Sequence, residues 1–377
     1  MKLIKGGCVF APDNIGNKDI LIAGDRILKM ADKITPPEGL DVEIIDAQGK
    51  SVTPGLIDGH LHINGGGGGN GHVSRSVPTS LSKITTAGVT TCISFMGSDH
   101  IGYSLEGLLA VANSLEKQGI TVYILSGSFV LPSITITGSL VKDLYVIDKV
   151  LGVKIALWET ICSHPDEATL IKTFSDVHLG SRLGNKAGII VSHIGDISCR
   201  PADIADLLDK IGMPLKSFVM AHINRNPELL QKSIECGKRG INLDLTATIP
   251  NWTKIQPSKA LRILLDGGVP IENITLSSDG NGTARNIHGD LFVLSIDECF
   301  HEIQDMVKTE GFSLTDALKT MTTNPANIYH LNQKGSIAEG KDADILLLDN
   351  ELNIDTVIAR GQIMVQGKKT LVKGVYE

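Results

Sequence analysis

Two histidines one residue apart, His60 and His62, close the apolar run Pro54-Gly55-Leu56-Ile57-Asp58-Gly59. On a strand the side chains alternate faces, so both imidazoles project to one side at its end. Two neutral imidazoles at that spacing can grip one borderline metal ion. Four further candidates follow. Lys154 sits inside the apolar run 152–157, where an uncompensated ammonium is expensive. Beside other ligands, a carboxylated Lys154 would offer an anionic carbamate whose two oxygens can bridge two cations. His193 comes shortly after Ile189-Ile190-Val191, and His222 shortly after Phe218-Val219-Met220. Asp279 ends Thr275-Leu276-Ser277-Ser278 and precedes Gly280, where a carboxylate can touch a metal and still hydrogen-bond a water. Each residue alone has an ordinary explanation: a satisfied core histidine, a solvent-facing lysine, an Asx turn before a glycine. Four His, one Lys and one Asp together suit a two-metal hydrolytic site. Zinc is the default for His-rich ligation, and other divalent ions are compatible with it.

Two features near these ligands bear on a substrate. Arg225 lies three residues after His222, where a substrate carboxylate can receive a bidentate contact. The run Gly65 to Gly69 is no Walker loop, because no Gly-Lys-Ser/Thr follows it. It reads either as a flexible turn or as a loop that passes its backbone close to a ligand. Cys162 and His164 have no second pair nearby and are taken as incidental.

Such ligands need a frame that brings strand ends together. Apolar runs alternate with helical patterns through the middle of the chain. Strands are expected at 54–60, 88–95, 121–127, 152–157, 188–193, 217–222, 240–246 and 273–279, with helical spacing at Ser104–Gln118 and Pro201–Ile211. Eight β/α units predict a TIM-like (β/α)8 barrel, whose active site gathers at the strand C-termini. An open doubly wound sheet is the competing arrangement, yet no GxGxxG follows the first strand. The two chain ends carry short alternating strands bounded by turns, which predict a small β-sandwich built from both. The expected boundaries are 1–53 and 331–377 for the sandwich and 54–330 for the α/β barrel.

The bulk properties agree. The chain has 377 residues, 42% hydrophobic and 20% charged, enough for a large barrel with a substantial core. A net charge of −7 without a basic block argues against nucleic acid. No apolar stretch approaches the roughly 18 residues of a membrane helix. The first residues lack the apolar core of a signal peptide, and six scattered cysteines without a CxxC pair suggest reduced thiols. The expectation is a cytoplasmic protein acting on a small molecule.

With those residues in place, the chain resembles the amidohydrolase superfamily over its entire length. The resemblance rests on Pro54–His62, Lys154, His193, His222 and Ser277–Gly280, and on the stretch Gly335–Ile345 that returns to the β-domain. Within the superfamily the chain is similar to the β-aspartyl (isoaspartyl) dipeptidase family. That likeness is carried by the glycine run, Pro132–Ser139, His222–Asn226 and Ser278–Gly282. It implies His60 and His62 on the more buried metal, His193 and His222 on the other, and carboxylated Lys154 (N6-carboxylysine, from CO2) bridging both. It further implies that Asp279 takes the proton of the attacking hydroxide and hands it to the leaving amine, and that the chain forms a homo-oligomer.

The substrate pocket departs from the dipeptidase pattern. Gly69 stands where that family has a glutamate for the substrate ammonium. Phe129 replaces a tyrosine that donates to the scissile carbonyl oxygen, and Ile161 an arginine that grips a carboxylate. Arg225 is retained, and Thr283 takes the place of a serine. Asn70, His72, Arg75 and Glu159 are neighbours able to compensate. The leading expectation is a β-aspartyl dipeptidase. The alternatives are an amidohydrolase acting on a cyclic amide or an N-acyl amino acid, and a non-catalytic scaffold.

Overall fold

The apolar runs of the central chain become eight strands, and each is buried along nearly its whole length. In the computed structural model, which describes residues 1–197, 200–247, 255–286 and 288–377, they are β1 (Leu56–Leu61), β2 (Val89–Ser94), β3 (Thr121–Gly127) and β4 (Val150–Leu157). β5 (Ile189–Ile194), β6 (Phe218–Ala221), β7 (Asn242–Thr246) and β8 (Ile274–Ser277) complete the set. All eight fall on expected segments. Each pairs in parallel with the next along the chain, as continuous apolar strands covered on both faces should.

The ring closes between β8 and β1 through a short seam. Leu61 bridges Gly280 in parallel, and the His62 N–H donates to the Gly280 carbonyl (3.0 Å). The buried Asp58 carboxylate accepts from the Ser278 N–H (3.2 Å) and the Ser278 hydroxyl, and also from the His60 N–H (3.1 Å). Asp58 thus ties the strand that carries His60 and His62 to the strand that leads to Asp279. Burial pushes its carboxyl up to about 6, against the pull of these donors.

Inside the barrel Ile57, Ile93, Leu125, Leu151, Ile189, Val191 and Val219 pack together, and Ala326, Ile328 and Tyr329 from the segment after β8 cap the far end. The interior is therefore filled below the strand C-termini, and the open space lies above them. Helices pack outside. Leu105–Lys117 and Pro201–Lys210 fall where helical spacing was expected, the first capped by the Ser104 side chain accepting from the Gly107 N–H (3.0 Å).

The chain ends build one small β unit, as expected, and its strands run as one continuous sheet. Among the described residues nine strands join, and the two ends meet where Ser51–Pro54 pairs antiparallel with Ile345–Leu348. The sheet bends at Gly6 and Gly7: below this point Lys2–Phe10 pairs with Glu43–Asp46, above it with Ser51–Pro54. Ile4, Ile20, Val52, Ile345, Leu347 and Ile358 from both ends share one apolar core. Among the described residues no helix is long and apolar enough to cross a membrane.

Candidate active site

Alternation along the strands explains which side chains reach the barrel mouth. On β5, Ile189 and Val191 face the interior, and His193, two residues on, continues that face at the rim. On β6, Val219 and Ala221 face inward, so plain alternation would send His222 outward. His222 instead adopts a left-handed conformation (φ 66°), and Asp279 does the same (φ 49°). Such backbone costs on the order of 1–3 kcal/mol for a non-glycine residue and persists where the surroundings impose it. Both departures occur at residues singled out as ligands.

The six candidates converge. His60, His222 and Asp279 each bring a ligand-capable atom within 4.8 Å of the others. Asp279 Oδ1 lies 3.1 Å from His62 Nε2 and 3.3 Å from His60 Nε2. Lys154 Nζ is 3.5 Å from His60 Nε2, and the His193 ring is centred 4.6 Å from that of His222. Three histidines are held from behind by the protein. His62 Nδ1 meets the Phe95 carbonyl (3.0 Å), His222 Nδ1 the Thr246 hydroxyl (2.7 Å), and His193 Nε2 donates to Glu159 Oε2 (3.0 Å). Among the described residues this leaves His222 Nε2 and His193 Nδ1 without a hydrogen-bond partner, while His62 Nε2 faces Asp279 Oδ1. An imidazole that donates backwards and presents its other nitrogen forwards is arranged as metal-binding histidines are.

Electrostatics reinforce the arrangement. Burial holds His60 and His222 well below the ordinary imidazole range and pushes His193 down to about 4, so these rings are neutral near pH 7 and keep a lone pair. The Lys154 side chain is fully buried, with Nζ 4.3 Å from the Phe95 ring centre and 6.0 Å from that of Phe129. Among the described residues it forms no ion pair, and burial pushes its ammonium down to about 7. Glu159 moves the opposite way, to about 2, chiefly through its hydrogen bond with His193.

Above the cluster opens a cavity of about 320 Å³, and all the residues expected to touch substrate line it: Gly69, Phe129, Ile161, Arg225 and Thr283. Phe129 packs on His193 with ring centres 4.7 Å apart. Gly69 is closely faced, since a Cβ there would lie 3.0 Å from Ile161 Cδ1 and 3.3 Å from Ser98 Oγ. Arg225 is already engaged. Its Nη1 lies 3.0 Å from His193 Nε2 and spends its hydrogens on the Ile194 carbonyl (2.9 Å) and Glu159 (3.5 Å), while Nη2 pairs with Asp196 (3.2 Å). The Thr283 hydroxyl donates to the Ser74 carbonyl (3.0 Å), so it serves the glycine loop. That loop is packed: a Cβ on Gly67 (φ 87°) would fall 2.1 Å from the Ser74 carbonyl oxygen. Gly67 and Gly69 also line the cavity, so the backbone of this loop borders it.

With this geometry in view, the comparisons with known proteins decide the family. The amidohydrolase family pattern matches residues 254–364. A β-aspartyl dipeptidase from Fervidobacterium islandicum AW-1, solved in complex with a β-Asp-Leu dipeptide, is 34% identical, with 98% of each chain covered and a TM-score of 0.92. This chain belongs to the amidohydrolase family. Other amidohydrolase-like folds align at lower identity: a D-hydantoinase (dihydropyrimidinase) from Thermus sp. at 16%, with 99% of this chain and 97% of that one covered and a TM-score of 0.75. Among curated sequences, a dihydroorotase from Streptococcus pneumoniae is 25% identical over 93% of this chain and 90% of its own length.

Within this amidohydrolase, the dipeptidase-like stretches have visible structural tasks. In His222–Asn226, Asn224 binds the Thr246 backbone from both sides (3.0 and 2.9 Å), and Asn226 caps the helix Pro227–Arg239 by accepting from the Leu229 N–H (2.7 Å). In Pro132–Ser139, the Ile136 and Thr137 N–H groups converge on the buried Asp143 (2.9 and 2.8 Å), fixing the loop after β3 that carries Phe129. Sequence reasoning missed Phe95, Thr246 and Arg285 of the site. Phe95 and Thr246 stand at strand ends, a signal that was available. Arg285 lies on a three-residue strand, Thr283–Arg285, too short to leave a pattern.

Proposed function

We propose that this amidohydrolase cleaves small amides that carry a carboxylate, with β-aspartyl dipeptides as the lead substrates, at a site for two divalent cations, zinc by default. The observation that carries the reading is the ring of four histidines, three of them held from behind by hydrogen bonds, closed by Lys154 and Asp279. The donor set fits a metal centre on its own terms. Among the described residues His60 Nδ1 is buried without a hydrogen-bond partner, and the buried Lys154 amine forms no ion pair. His60 and His62 would hold one ion, His193 and His222 the other, with Asp279 also in reach. Lys154 would bridge after its amine adds CO2, forming an N–C bond and releasing a proton to give an anionic carbamate. The chemistry such ions supply when bound is polarisation of the scissile carbonyl and activation of water near neutral pH.

The remaining work falls to this chain's own groups. Asp279, at the centre of the cluster, accepts the proton of the attacking water and passes it to the departing amine nitrogen. One carboxylate serves both transfers because each leaves it in the state the next requires. Glu159 fixes His193 and counters Arg225, which sits at the rim to orient a substrate carboxylate. Phe129 roofs the site and excludes water but has no hydrogen to donate. The 34% identity along the full length of a dipeptidase that holds β-Asp-Leu supports the lead substrate.

A second reading, an N-acyl amino acid or a cyclic amide, is favoured by one observation. Gly69, Phe129 and Ile161 give the pocket an uncharged wall. Metal titration of stripped protein with and without bicarbonate tests the centre: two ions per chain are expected with bicarbonate, and clearly weaker binding in Lys154→Ala. Protein that takes up no metal would overturn the proposal. A substrate panel of β-aspartyl-leucine, an N-acyl amino acid and a carboxylate-bearing cyclic amide separates the two readings.

A further inference from the structure

The charges around the cavity do not balance as a site for a zwitterion should. Among the described lining residues the carboxylates are Glu159 and Asp279. Glu159 is spent on His193 and Arg225, and Asp279 lies against His60 and His62. Asp99, behind the lining, is held by Arg75 (3.0 Å) and by the N–H groups of Ile101 (3.2 Å) and Gly102 (2.6 Å). Residues 198–199, 248–254 and 287, outside the description, include no Asp or Glu in the sequence. Among the described lining residues a substrate amine therefore meets no uncommitted acid.

The cations differ from one another. Arg225 is countered by both Glu159 and Asp196. Arg285, also at the cavity, has no ion pair among the described residues. Its Nε donates to the Asn70 carboxamide oxygen (3.0 Å) and its Nη1 to the Gly289 carbonyl (2.5 Å). The guanidinium is thereby oriented by two neutral acceptors, with no carboxylate paired to it among the described residues. A guanidinium steadied in this way is suited to a carboxylate, which it meets in a planar fork.

We infer that Arg285, steadied by Asn70, anchors a substrate carboxylate, and that the acyl side of the pocket makes no provision for an amino group. The substrate class is then carboxylate-bearing amides whose acyl part has no free amine, such as N-succinyl amino acids. Water adds across the C–N bond of such a molecule, the acyl carbon gaining oxygen and the nitrogen the proton, to release succinate and the amino acid. This inference rests on the proposed reading of the site as a hydrolase of carboxylate-bearing amides.

N-succinyl-leucine and β-aspartyl-leucine differ only by the amine, so the metal-loaded enzyme can be asked directly. Succinyl-leucine is expected to be cleaved with a kcat/KM at least equal to that of the dipeptide. A preference of about tenfold or more for the dipeptide overturns amine indifference while leaving the broader reading intact. Cleavage of neither compound by protein with two metals bound overturns that reading and the inference with it. Arg285→Met is expected to raise KM for succinyl-leucine about ten- to hundredfold, more than kcat falls, as loss of a charged hydrogen-bond pair should. Arg285→Lys should fall between, keeping the charge without the fork. An unchanged KM in a folded Arg285→Met protein overturns the anchor.

Discussion

At Asp279 one oxygen faces His60 on β1 and His62 just past its end, from a left-handed backbone. If it relays the proton, Asp279→Asn should lower kcat by about 10²- to 10⁴-fold. The unfolding midpoint of the metal-free protein should stay close to that of the parent, which calorimetry can check. Glu159 acts one step back. Glu159→Gln keeps the shape but loses the anionic acceptor behind His193, and should weaken metal binding by about ten- to hundredfold. Competition with a chromophoric chelator reads that change without any turnover assay. Five of the six candidate ligands were legible because each stands at or just past the end of an apolar run, and in a barrel strand ends converge; Lys154 was legible as an ammonium inside such a run. The partners behind them were not, since the meetings of His222 with Thr246 and of His193 with Glu159 depend on which strand lies beside which.

Among elements, the seam between β8 and β1 matters most, because it brings Asp279 to His60 and His62. Ser278 donates to Asp58 through both its backbone and its hydroxyl, in a fully buried position. Ser278→Ala should destabilise the fold by about 1–3 kcal/mol, through the unsatisfied carboxylate it leaves, measurable by denaturant unfolding. All eight barrel strands were readable from their apolar runs, with ends differing by a residue or two. The hairpin of Thr283–Arg285 with Leu291–Val293 was not, because three-residue strands carry no period. That hairpin carries Arg285, the proposed carboxylate anchor, which the sequence did not single out although it did single out Thr283 on the same strand. The motif Pro54–His62 also contained more than its histidines: Asp58 closes the barrel.

Across the whole molecule, the barrel and the β unit are joined by a buried charge cluster. Lys334 pairs with Asp344 (2.6 Å) and Asp342 (2.8 Å) and donates to Thr121 Oγ1 on β3 (2.7 Å). Burial alone would lower its pKa, but the two aspartates outweigh it and raise it above the ordinary 10.5. The contribution of this cluster is therefore complete below pH 10.5 and is lost as pH rises through the elevated folded value. Lys334→Met should cost about 3–5 kcal/mol at neutral pH, because it strands the buried Asp344 and leaves the partly buried Asp342 with Arg26 as its cation. The gap between parent and variant should narrow in strongly alkaline buffer, which unfolding curves across pH can follow. That both chain ends share one unit was legible from their matching short strands. Its continuity as a single sheet was not, since it hangs on one antiparallel pairing between residues almost three hundred positions apart.

The most direct test of the central claim is the rate at which zinc- and bicarbonate-reconstituted protein cleaves β-aspartyl-leucine, with α-aspartyl-leucine as control and bound metal counted in the same sample. Cleavage of the β-linked compound alone, with two metals per chain, is the expected result. No cleavage of it, or of any carboxylate-bearing amide in the panel, by protein that holds both metals would contradict the account.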